Sequence, residues 1–258
     1  MNESDRAVLA EQYADGANLS ARIHLHETYE VADRDWWPWV FDHYDPVPAD
    51  ADLFEVGCGT AKLWQDNADR IPDDWRLLVT DFSEGMAADA RESLLDAGLE
   101  ATVGVAPAES LPYADESVDT VVANHMLYHT DRDVALSEMH RVLRPGGRLF
   151  ATTNGEANMR ELRALLMATT DHEPSDKGAF TLENGGEQLS HHFDTVHRYE
   201  RDTFLRVPEL EPLVAYAASL QKVDGQQVAD FADRTDDHLD DGPLEIQKSM
   251  GLFVGQKA

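Results

Sequence analysis

The stretch LFEVGCGTAKLW (53–64) contains residues whose types and spacing suit a ligand. Its apolar run ends in Glu55, and Gly57 and Gly59 follow one residue apart. Without Cβ atoms these glycines permit a tight turn and close approach of backbone to a ligand. The next segment reads as a helix that turns its first N–H groups to the same place. Asp81 ends the following apolar run, 24 residues after Gly57. A carboxylate there can accept both hydroxyls of a ribose. Farther on, His125, Tyr128 and His129 cluster in NHMLYHT. Imidazole titrates near neutral pH and can act as a general base, and a tyrosine hydroxyl can hydrogen-bond a second reactant. The set fits an adenosine-containing cofactor. A dinucleotide pocket prefers G-x-G-x-x-G, and the sixth position here is Lys62, which counts against a tightly held pyrophosphate.

Other chemistry-bearing residues read as structural. Cys58 is the single cysteine, so no internal disulfide is possible, and a small residue in a tight turn explains it. The His191–His192 pair reads as a solvated helix end, because adjacent side chains diverge and no cysteine cluster or H-x-x-x-H spacing accompanies them. DRTDDHLDDG (233–242) does not match a calcium loop and reads as an acidic helix surface. Trp36, Trp37 and Trp39 read as a helix packed on the sheet edge or as a lid over an acceptor. Trp64 reads as core.

The elements that must position these residues alternate from residue 52 onward. Strands are expected at 52–56, 76–80, 101–105, 118–124 and 148–153, with helices near 61–70, 84–97 and 132–143. Short apolar strands each followed by a helix imply a parallel sheet covered on both faces, and right-handed crossovers make it doubly wound. Residues 1–45 read as helices, and DPVPAD (45–50) breaks before the first strand. Residues 193–201 and 245–257 read as an antiparallel strand pair at the sheet edge, with helices near 209–221 and 225–240 between them. The expected architecture is α/β: a doubly wound, Rossmann-like, seven-stranded and mostly parallel sheet with helical caps. It forms one domain over 1–258, with an N-terminal cap (1–50), a cofactor-binding core (51–201), a helical insertion (202–242) and a last edge strand (243–258).

Composition bounds the setting. The 258 residues give length for a real core, and 42% are hydrophobic. The formal charge is -29, from 50 acidic against 21 basic residues. The acids are spread along the chain, as on proteins of salt-loaded cytoplasms, where self-repulsion is screened. Such a surface repels phosphates, so nucleic acid is not an expected partner. The N-terminal MNESDRAVLAEQYADG has no signal-peptide pattern, and no apolar run approaches a membrane span. The expectation is a soluble, cytoplasmic, halophilic protein.

Four segments carry a family resemblance. Glu55-Val56-Gly57-Cys58-Gly59-Thr60-Ala61, VTDFSEGM with Asp81, Phe82 and Met86, APAESLPYADESVDTVVANHMLYH, and RVLRPGGRLFATT stand in order over about residues 50–155. Together they resemble the class I S-adenosylmethionine-dependent methyltransferases. Ala61 replaces the family's third glycine, and Pro107 stands where the family often has an Asp near the adenine. NHMLYHTDRD, TLENGGEQLSHHFDTV and EPLVAYAASL extend the likeness to small-molecule methyltransferases resembling ubiquinone-biosynthesis enzymes. The resemblance implies S-adenosyl-L-methionine as cofactor. It implies that Glu55 anchors the methionine amino end, that Gly57, Cys58 and Gly59 line the methionine with backbone, and that Asp81 binds the ribose. Phe82 and Met86 would flank the adenine, Ala108 and Glu109 would lie at its edge, and the Asn124 carbonyl would meet the ammonium. Tyr13 and Arg22 would approach the cofactor carboxylate. His125 or His129 would be the general base toward a small-molecule acceptor, with Tyr128 hydrogen-bonding it.

Three other readings stand beside this one. A methyltransferase acting on RNA or protein needs an open or basic groove, which the aromatic caps and the acidity oppose. A non-catalytic binder would keep the cofactor residues without turnover. A nicotinamide dehydrogenase is opposed by Lys62 and by the lack of a Tyr-x-x-x-Lys pair.

Overall fold

The structure, a computed structural model, describes residues 16–171, 180–220 and 223–258, with side chains from residue 21 onward in the first stretch. The strands are β1 (Glu30–Val31), β2 (Asp52–Val56), β3 (Arg76–Asp81), β4 (Ala101–Val105), β5 (Val118–Asn124), β6 (Leu143–Asn154), β7 (Thr195–Val207) and β8 (Leu244–Gln256). They form one eight-stranded sheet in the order β1-β7-β8-β6-β5-β2-β3-β4. β2 pairs in parallel with β3 (Glu55 opposite Val79) and with β5 (Glu55 opposite Val122). β4 and β6 extend the two sides in parallel. The chain therefore builds outward from β2 through β3 to β4, then restarts at β5. The carboxyl ends of β2 and β5 flank the switch point where doubly wound sheets bind ligands.

Two expectations need correction. The sheet has eight strands, because Glu30–Val31 adds a two-residue antiparallel strand to β7. The final strand is not at an edge: β8 lies between β7 and β6, and the edges are β1 and β4.

The described chain divides into two compact units. One comprises the described residues of 34–154, 178–200 and 251–258; the other comprises the described residues of 1–33, 155–177 and 201–250. In the first unit all five residues of β2 are buried, as a strand covered on both faces requires. Helix α4 (Glu84–Asp96) follows β3. Its N-cap Ser83 accepts the Met86 N–H, and Ala87, Ala90 and Leu94 form the buried face. Helix α5 (Arg132–Val142) is capped by Asp131 and buries Ala135, Leu136, Met139 and Val142. At the amino ends of the strands Asp52 pairs with Arg76 and Arg144, and Arg144 also binds Asp119 at 2.6 Å. Ion pairs thus occupy one end of the sheet, and the opposite end carries Glu55, Asp81 and Asn124.

The expected helix at 61–70 is shorter than its sequence pattern. It reduces to one turn, α3 (Lys62–Gln65), and a 3-10 turn at Ala68–Arg70. The cause is Asn67, whose side-chain amide donates to the Leu63 carbonyl at 2.8 Å and holds the backbone out of helical geometry (φ -126°).

In the second unit, helices α1 (Gly16–Tyr29), α6 (Arg160–Thr169), α8 (Leu210–Ala218) and α9 (Gly225–Leu239) surround a core of Leu25, Leu162, Leu166, Leu213, Phe231 and Ile246. Asp224 and Gln227 form a capping box at the start of α9. Helix α2 (Trp36–Phe41) and the short α7 (Gly185–Ser190) belong to the first unit. No described helix is long and apolar enough to cross a membrane.

Candidate cofactor and acceptor site

The turn after β2 is built by three residues with left-handed backbone: Gly57 (φ 69°), Gly59 (φ 53°) and Ala61 (φ 61°). A Cβ at Gly57 would lie 3.0 Å from both Cβ and Cγ of Met126. Conformation and space therefore both demand glycine there. Ala61 occupies the third such position, where a side chain costs roughly 1–2 kcal/mol. Cys58 N–H donates to the Thr80 carbonyl at 3.0 Å, which pins the turn to the end of β3.

Asp81 completes that junction. One carboxylate oxygen accepts the Gly59 N–H at 3.0 Å and the other accepts the Ser83 N–H at 2.9 Å. Its carbonyl accepts the Ala106 N–H at 3.0 Å, which brings the loop after β4 to the same place. Burial raises the Asp81 pKa, and these N–H groups pull it back. The Phe82 N–H also bonds this carboxylate, whose roughly four acceptor positions leave capacity for a further donor.

Glu55 is buried beneath the turn. Its Oε2 accepts the Trp64 indole N–H at 2.6 Å, and its Oε1 accepts the Asn124 amide at 2.8 Å. The Asn124 carbonyl oxygen in turn accepts the Thr152 hydroxyl at 3.1 Å. Burial raises the Glu55 pKa to about 7. The two hydrogen bonds oppose that rise and the nearby charge of Asp81 adds to it. Glu55, Gly57, Cys58, Gly59, Asp81 and Asn124 thus come together at the switch point. Burial, with Glu55 and Asp81 adding, pushes the Cys58 thiol far up, so it stays protonated.

The remaining expected residues lie around this center. Phe82 is 38% exposed, and Met86 stands in the first turn of α4. Ala108 is buried in the core, and a Glu109 carboxylate oxygen accepts the Asp131 N–H at 3.1 Å. His125 ends β5 in left-handed backbone (φ 49°), held by its N–H donating to the carbonyl and hydroxyl oxygens of Thr152. Its ring lies 5.5 Å from that of Trp36 and 6.4 Å from that of Trp37. His129 N–H donates to the Met126 carbonyl at 2.9 Å, and its ring meets Tyr128 edge-on at 4.5 Å. Arg22 donates to the hydroxyl and carbonyl oxygens of Ser219 and ties α1 to the end of α8. Tyr13 lies outside the described residues. His192 pairs with Asp133 at 2.9 Å. Among the described residues no group of three or more His, Cys, Asp or Glu is placed to hold a metal ion.

Comparisons with known proteins bear on the sequence and fold of this part of the chain. Residues 54–151 match the family described as "Methyltransferase domain". The structure of the YcgJ protein from Bacillus subtilis superimposes with a TM-score of 0.62 at 16% identity, covering 86% of this chain and 97% of that one. That likeness speaks for the fold. Residues 54–151, which run from β2 to β6, are thus similar to a methyltransferase domain. Among curated proteins, a ubiquinone/menaquinone biosynthesis C-methyltransferase (UbiE) of Chromobacterium violaceum is 38% identical over 105 residues, 40% of this chain and 43% of that protein. A malonyl-[acyl-carrier protein] O-methyltransferase of Methylococcus capsulatus is 41% identical over 148 residues, 57% of this chain and 51% of that protein. The chain thus matches about half the length of these relatives.

Sequence reasoning missed three parts of this site. Trp64 is core and also a hydrogen-bond donor to Glu55. Met126 seats on Gly57. Thr152 holds both Asn124 and His125. Only Trp64 left a signal, an indole N–H close in sequence to a buried acid.

Proposed function

We propose that the protein is an S-adenosylmethionine-dependent methyltransferase acting on a small-molecule acceptor. The observation that carries this is the pair of buried carboxylates, Glu55 and Asp81, on either side of a turn that only glycine can make at Gly57. Asp81, with acceptor capacity to spare, binds the ribose. Glu55 supplies negative potential beneath the turn for the ammonium of the methionine arm, whose chain lies along Gly57, Cys58 and Gly59. Phe82 and Met86 flank the adenine, and Ala108 and Glu109 lie at its edge.

The cofactor supplies a sulfonium methyl, an electrophile with a neutral leaving group. The protein's task is therefore alignment and exclusion of water, and positioning of this kind supplies about 7–11 kcal/mol of barrier lowering. His125 accepts the acceptor's proton where one must leave. Its strained backbone and the Trp36 and Trp37 rings fix its direction, and strain of that kind clusters at functional positions. Tyr128 and His129 line the same rim. The relatives' names, a ubiquinone/menaquinone biosynthesis C-methyltransferase and a malonyl-[acyl-carrier protein] O-methyltransferase, support a small acceptor group. The charge of -29 supports a salt-rich cytoplasm as the setting and argues against nucleic acid.

The test is calorimetric titration with S-adenosylmethionine in molar KCl, with Asp81→Ala as control. Micromolar binding that the variant loses is the expected result. Absence of binding by folded wild-type protein would sink the reading.

A further inference from the structure

The second unit holds a buried ionic cluster that methyl transfer as described above does not use. Glu30 Oε1 accepts Arg201 Nη1 at 2.6 Å and the Thr203 hydroxyl at 2.9 Å, and Glu30 Oε2 accepts Lys248 Nζ at 2.5 Å. The side chains of Lys248 and Arg201 are only 5% and 7% exposed, and that of Glu30 14%. Arg201 has further contacts besides these. The open groups are on Lys248 and His26. A lysine ammonium carries three N–H donors, and one of them serves Glu30. His26 lies within electrostatic reach of both Lys248 and Glu30, and its Nδ1 is buried with no hydrogen-bond partner. Burial first, then the Lys248 charge, lowers the His26 pKa to about 4, so the ring is neutral. A buried polar group left unpaired is destabilizing, and buried ammonium donors without acceptors are more so. In a chain with only five lysines and a charge of -29, one of the five is placed here.

The cluster is fixed within its own unit: Met159 N–H donates to the Gln247 carbonyl at 2.7 Å and Gly155 N–H to that of Ser249 at 2.8 Å, on either side of Lys248. His26 and Glu30 retain partial exposure.

We propose that Lys248 and His26 form a binding site for the carboxylate group of a small molecule. The site lies wholly within this unit and goes beyond the methyltransferase reading. Lys248 donates its remaining N–H groups to the carboxylate, and His26, as the Nδ1–H tautomer, donates another. Glu30 holds Lys248 in place and competes with the ligand for it. Arg201 anchors Glu30.

The test uses full-length protein labeled with ¹⁵N in the histidine rings, with acetate as the probe. Potassium chloride is replaced stepwise by potassium acetate at constant ionic strength while the His26 ring signals are followed, assigned through His26→Gln. The expected result is a saturable shift that weakens at least tenfold in Lys248→Gln, persists in Lys248→Arg and tightens several-fold in Glu30→Gln. No saturable movement in the wild type would overturn the proposal, since the site would then be closed or filled by chloride. So would an unchanged response in folded Lys248→Gln. Titration with S-adenosylmethionine separates the two readings: acetate binding without cofactor binding would keep the site and remove the methyltransferase role.

Discussion

Glu55→Gln tests the electrostatics of the cofactor turn. The folded carboxyl titrates near 7 against an ordinary value of 4.5. A carboxyl with a raised pKa holds its proton more tightly when folded than when unfolded. Its contribution is therefore fully present below about pH 4.5 and is lost as pH rises through about 7. At 1.36 kcal/mol per unit, the ionized form costs on the order of 3 kcal/mol of stability at pH 8. Glutamine removes the charge but keeps only one acceptor oxygen for two donors, the Trp64 indole and the Asn124 amide. The amide of Asn124 cannot turn over without losing its bond from Thr152. One donor is left unpaired, at about 1–2 kcal/mol. The net expectation is a variant about 1–2 kcal/mol more stable than wild type at pH 8 and less stable at pH 4.5. Urea denaturation of both proteins from pH 4.5 to 9 checks this. A stability difference that does not change with pH would show that Glu55 is not held protonated, and the argument from burial would fail. In the same samples, affinity for S-adenosylmethionine at pH 8 falls at least tenfold if the Glu55 charge serves the cofactor ammonium. Stability rising while affinity falls would mark a site whose charge is kept for binding.

Two further substitutions probe the turn. Ala61→Gly relieves a left-handed side chain and raises stability by about 1 kcal/mol, less the flexibility that glycine adds to the unfolded chain, as thermal or urea denaturation will show. Gly57→Ala meets Met126 at 3.0 Å and in unfavorable backbone, and costs about 2 kcal/mol or more. Adding Met126→Gly removes both the Cβ and the Cγ contact but not the backbone strain at residue 57, so a double-mutant cycle should return a favorable coupling of about 1 kcal/mol; strict additivity would mean that the contact is relaxed in solution.

The fold was legible where periodicity alone dictates it. The short apolar runs at 52–56 and 118–124 are buried on both faces, and the spacing of Ala87, Ala90 and Leu94 marks a helix face. Strand order has no such local signature. That β8 lies inside the sheet follows from its pairing with chain segments far away in sequence, and Glu30–Val31 is a strand only because β7 offers Leu205 and Phe204 as partners. The helix after Gly59 was overextended because its apolar spacing continues past Asn67, whose side chain takes the carbonyl that another helical turn would need. At the site, Glu55, Gly57, Gly59 and Asp81 stand out because each residue type is unusual where it stands: acids at the ends of apolar strands, and glycines where no side chain fits. Their partners do not stand out. Trp64, Thr152 and Met126 are ordinary core residues by type, and only the closure of the sheet at the β2–β5 junction turns them toward the carboxylates and the turn. The Glu30–Lys248 pair spans 218 positions and could not be found from spacing. A sequence thus displays the groups that contact a ligand sooner than the groups that hold them. The second kind sets the Glu55 pKa, and with it the pH range in which the turn can hold a cation.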